Sequence, residues 1–71
     1  MEKLTKEDVL MRIKDIHYNA GDDETQHCIE ADIREVFVES VSEGHYTVDE
    51  SREIAMLILT TKDISFSRLF A

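Results

Sequence analysis

The chain has no proline and no tryptophan, two glycines, one cysteine and no long apolar run. Each scarcity excludes something. Without proline, no proline-rich linker divides the chain. Cys28 has no second cysteine to pair with, so there is no internal disulfide framework and a reducing compartment is the natural expectation. The longest apolar run, Ile54 to Leu59, is six residues, against the roughly 20 needed to span a bilayer. The opening stretch MEKLTKEDVL carries no apolar segment of the secretory kind. Glycine-rich phosphate loops are absent. The expectation is a soluble cytoplasmic protein of one domain, 71 residues long, with a core worth only about 3–5 kcal/mol net.

What the chain has in excess is acid. Sixteen acids against eight bases give a formal net charge of −8. Residues 1–20 balance, with four of each sign, and residues 54–71 carry one net positive charge. Residues 21–53 hold eleven acids and two bases, a net −9. Such a field repels phosphate backbones and anionic lipid, which disfavours direct nucleic-acid and membrane binding. It attracts basic protein surfaces. The same excess also keeps a small protein soluble through self-repulsion.

Helical signals run the length of the chain, and strand alternation is missing. Thr5 starts a first helix over about 6–19, with Glu7 and Asp8 facing the positive end of the dipole. Val9, Leu10, Ile13, Ile16 and His17 form its apolar stripe, and Asn19-Ala20-Gly21 stops it. Asp22-Asp23 opens a second helix over about 23–43, whose buried face reads Ile29, Ile33, Val36, Phe37, Ser40 and Val41 before Gly44 ends it. Thr47-Val48-Asp49-Glu50 is a capping box for a third helix over about 48–62. A tail over 64–71 follows, with Ser65 able to cap a last short turn and Phe66, Arg68 and Phe70 as its anchors. Short connections make neighbours antiparallel, so the expected architecture is an all-α, up-down-up three-helix bundle with a short C-terminal helical tail.

Two surface features stand out. The third helix is apolar over most of its circumference, beyond the stripe of somewhat over 100° that a surface helix needs, and Val38 lies off the core stripe of the second. Met56, Leu57, Leu59 and Val38 are therefore candidates for self-association into a homodimer, which would offset the slender stability of so short a chain. On the second helix Asp32, Glu35, Glu39 and Glu43 are spaced 3, 4 and 4 and line one side. Like charges at that spacing destabilise a helix by roughly 0.2–0.5 kcal/mol per pair, and Glu39 and Glu43 approach the negative end of the dipole. An acidic ridge kept against local stability reads as a docking surface for a basic partner. The alternatives are a solvated face and a mimic of nucleic acid that inhibits a defence or DNA-processing enzyme.

Glu24, His27 and Glu30 share the opening of the second helix, and Glu-Xaa-Xaa-His is half of a carboxylate di-metal motif. No second copy accompanies it, so a metal enzyme is the weaker reading and His27 is expected to cap or pack. Cys28 beside His27 lacks the third group of a nucleophilic site. No catalytic, cofactor-binding or metal residue is assigned, and no cofactor is expected.

The stretch Asp22 to Glu30, DDETQHCIE, and the ending TTKDISFSRLFA together resemble a family of small proteins carried by phage and prophage genomes. That family has a Glu-x-x-His-x-x-Glu helix opening and an Ile-x-Phe-x-Arg-Trp-Cys-type tail. The match reaches Glu24, His27, Glu30, Ile64, Phe66 and Arg68, within residues 22–71. Leu69 and Phe70 stand where the tail has Trp and Cys, and Ala31 where a second acid is usual, so any role of the Trp-Cys pair does not carry over. The resemblance implies a phage or prophage origin, hence a host-cell cytoplasm, and assigns no activity.

Overall fold

In the computed structural model the described residues are 4–67. Among them the chain forms three α-helices and no strand: α1 (Lys6–Tyr18), α2 (Asp23–Ser42) and α3 (Val48–Leu59), the last running into a 3-10 turn at Thr60–Asp63. Local chemistry sets the ends. The Thr5 hydroxyl accepts from the Asp8 amide while the Asp8 carboxylate accepts from the Thr5 amide, and Thr47 and Glu50 repeat this capping box on α3. Asp22 caps α2 by accepting from the Thr25 amide. Gly21 and Gly44 take φ of 93° and 74° in the two connections, a region that a side chain would make costly.

Three long-range contacts fix the α1–α2 pairing. The Leu4 amide meets Ser40 Oγ, Arg12 meets Asp32, and Gln26 Nε2 donates to the Ile16 carbonyl. As one partner number rises the other falls, which is the signature of antiparallel helices. Lys6 pairs with Glu53, setting the start of α1 beside the first half of α3. The result is an all-α, up-down-up bundle 36 Å long, about the length of α2 with its caps. No helix among the described residues is long and apolar enough to cross a membrane.

The core is narrow. Val9, Ile16, Ile33, Ile54 and Ile58 are buried, and Ile13, Ile29, Phe37, Leu57 and Tyr46 pack partly against them. Phe37 and Tyr46 stack with centroids 5.7 Å apart, and the Tyr46 hydroxyl donates to the Leu4 carbonyl. Three residues expected on the buried stripes are exposed instead: Leu10, His17 and Val41. Each directly follows a fully buried residue (Val9, Ile16 and Ser40), and one residue is about 100° of helix. With two neighbours per helix the seam is too narrow to reach that far round.

The tail also departs from expectation. The short turn comes before Ile64, and Ile64 itself is extended at φ −78° and ψ 124°. Buried Thr61 donates its hydroxyl to the Ile58 carbonyl, which suits the tighter winding there. Residues 65–67 have no regular structure, and half-buried Ile64 and Phe66 both pack against the core. Spacing of two on extended backbone puts both on one face. Arg68 and Phe70 lie outside the described residues.

Candidate functional site

The acidic ridge runs along the outward side of α2. Asp32, Glu35 and Glu43 are exposed and Glu39 is half-buried. Its two ends have hydrogen-bond partners. Asp32 accepts a 2.6 Å charge-assisted hydrogen bond from Arg12 on α1, and Glu43 lies 2.9 Å from His45 Nε2 in the α2–α3 connection. Glu35 and Glu39, one turn apart in the middle, have no ion pair among the described residues. No basic residue stands in the last turn of α2. The charge conflict seen in the sequence is thus relieved at the Asp32 end and kept at the centre. On α1, Asp8 and Asp15 lie four residues before and three after Arg12 and so share its face. The acidic surface extends across the α1–α2 seam with Arg12 embedded in it.

The Asp8 carboxyl is held below the usual carboxylate range, first by the Thr5 backbone amide and then by its hydroxyl. Lys6 is pushed upward, chiefly by its hydrogen bond to Glu53. Both belong to the scaffold rather than to a reactive centre.

The four residues expected to mediate self-association separate into two places. Val38, 63% exposed, and Leu59, 53% exposed, line one open groove of about 390 Å³ between α2 and α3, with Arg34, Phe37, Ala55 and Ile58. Met56, 69% exposed, lines a different groove with Lys6, Glu53, Leu57 and Thr60 on the α1 side of α3. Leu57 is half-buried against the core. The sequence reading missed Arg34, Phe37, Ala55 and Ile58 as members of the first groove. Their signal was the run Arg34–Val38 and Ala55–Leu59 at i, i+4, which marks one edge of each helix.

A second omission lies at the start of α2. Gln26 and Glu30 are 2% and 3% exposed, although polarity alone places them outside. Gln26 Nε2 serves the last-turn carbonyl of Ile16, one of the acceptors a helix end leaves without an intrahelical partner. Its Oε1 and His27 Nδ1 are buried without a hydrogen-bond partner among the described residues. Glu30 lies 3.9 Å from Arg34 one turn on. Glu24, His27 and Glu30 do not converge: Glu24 is exposed, His27 half-buried and Glu30 buried. No group of three or more His, Cys, Asp or Glu side chains is placed to hold a metal ion among the described residues. Cys28 is an exposed free thiol.

Neither a family model, nor a curated protein, nor a solved structure matches the chain, so the site stands on its own geometry.

Proposed function

We propose that the chain is a small, non-enzymatic accessory protein of phage type that docks onto a basic surface of another protein through the acidic side of α2. One observation carries this reading: Glu35 and Glu39 stand a turn apart at the centre of the ridge and make no ion pair among the described residues. Carboxylates already engaged inside the bundle would have to give up partners on binding; these two do not. Asp32 and Glu43 extend the ridge, and their partners Arg12 and His45 can be traded for a ligand's cations. The acid excess supports fast, salt-sensitive capture of a basic partner.

Affinity capture from host lysate, with the double reversal Glu35→Lys and Glu39→Lys as control, tests the reading. The expected result is a protein retained by the native chain, lost with the reversal, and released as salt rises from about 0.05 to 0.5 M, because screening shortens the reach of the field. Capture unchanged by the reversal removes the ridge from the account. Adding excess duplex DNA separates the mimic reading: a captured protein displaced by DNA is one whose nucleic-acid groove the ridge occupies.

A further inference from the structure

A carboxylate is buried where α3 has already ended. Glu30 is 3% exposed. His27, one turn before it on the same side of α2, is half-buried, and its enclosed Nδ1 has no hydrogen-bond partner among the described residues. The lining of the α2–α3 groove gives the register of the two helices: Arg34 and Val38 on one wall, Leu59 and Ala55 on the other, with numbers running in opposite senses. Glu30, one turn before Arg34, therefore stands level with Asp63 and Ile64, beyond the last residue of α3. At that level the backbone has turned extended, and Ile64 and Phe66 lie half-buried against the core.

We infer that residues 64–68 form a strap across the first half of α2, latched by an ion pair between Arg68 and Glu30. Extended backbone repeats every two residues, so Ile64 and Phe66 share the inward face of the strap and Arg68 is the next residue on it. Its α-carbon lies within about 7 Å of that of Phe66. A carboxylate taken out of water is costly unless cations stand close to it. Arg34 contributes from 3.9 Å, with its own side chain about half exposed, and Lys62 is exposed. Arg68 is the one cation that the sequence places after Lys62, and a guanidinium is the group best suited to grip a buried carboxylate through two parallel hydrogen bonds. The acid excess of residues 21–53 draws it in. Glu39 lies nine residues on from Glu30, half a turn round the helix. Latch and ridge thus use opposite sides of α2, and the latch takes no charge away from docking.

Limited trypsin digestion followed by mass spectrometry tests the inference. Cleavage of the Arg68–Leu69 bond reports the latch, and cleavage after Arg12 or Lys14, inside α1, reports opening of the whole bundle. In the native chain the Arg68–Leu69 bond should be cut at least about tenfold more slowly than in the free peptide ISFSRLFA. Glu30→Gln should raise that rate about tenfold relative to cleavage after Arg12, while Glu35→Gln on the ridge should leave it unchanged. In urea titrations Glu30→Gln and Arg68→Met should each raise the unfolding constant about tenfold or more, and the double variant by clearly less than the product of the two. Where a single variant is unfolded in water, Glu30→Asp with Arg68→Lys completes the same cycle with both charges kept. Cleavage of the native chain at the rate of the peptide overturns the inference, and so do single effects that simply multiply in the double variant.

Discussion

At the scale of single residues, hydrogen-bond chemistry at helix ends decides more than hydrophobicity does. Asp8 has its carboxyl pulled below the ordinary value by the Thr5 amide and hydroxyl. A depressed carboxyl contributes stability that is present above the unfolded value of 3.8 and lost as pH falls through the folded one. The native chain should therefore lose thermal stability below about pH 4 more steeply than Asp8→Asn, a difference read from melting curves on either side of that value. Gln26 makes a sharper case. Truncation to alanine leaves the Ile16 carbonyl without its donor and opens a void, which costs about 2–4 kcal/mol. Gln26→Leu fills the space and removes the buried Oε1 but still leaves the Ile16 carbonyl without its donor, and should cost about 1–3 kcal/mol, less than the alanine variant. Urea titrations of both variants give the ranking, and the reverse order would deny the void its share of the cost.

At the scale of elements, the three helices and their order could be read because their signals are local. Thr5, Asp22 and Thr47 can be recognised as caps since a short oxygen-bearing side chain needs no tertiary information to reach an amide three residues on. Thr47→Ala should cost about 1 kcal/mol in urea denaturation, with the loss concentrated in the protection of α3 amides. What periodicity could not give is the width of each seam. Leu10, His17 and Val41 fit an apolar stripe and still face solvent, since the stripe says which way a helix leans and not how far its neighbours wrap it. The ridge was readable as a row, while its compensation was not: Arg12 lies on another helix, twenty residues before Asp32. Neutralising the centre with Glu35→Gln and Glu39→Gln should stabilise α2 by about 0.2–0.5 kcal/mol, seen as a higher urea midpoint at unchanged slope. A drop would mean that those carboxylates hold the fold.

At the scale of the whole molecule, acid and exposed apolar side chains mix along the α1 grooves, while the lining of the α2–α3 groove holds no carboxylate. Acid gathers on α2 and its border with α1, and the uncovered apolar groove lies where α2 meets α3. That sorting was invisible in the chain because Val38 and Met56 look alike in sequence, and α1 decides which side of α3 each adjoins. The stability reserve is thin. Ile33→Ala removes the central member of a five-residue buried cluster, at a cost of about 2–5 kcal/mol, comparable with all that a chain of this size commands. Its circular dichroism at 25 °C should show a largely unfolded population.

Leu4 is held on both sides of its α-carbon: its amide reaches Ser40 Oγ and its carbonyl accepts from the Tyr46 hydroxyl. That double clasp ties the entry of α1 to the last turns of α2 and to the following connection, although the sequence holds them some forty positions apart. Leu4 and residues 43–47 are therefore expected to open together. Deuterium uptake there would rise in step, and Tyr46→Phe would hasten labelling on both sides of the clasp at once.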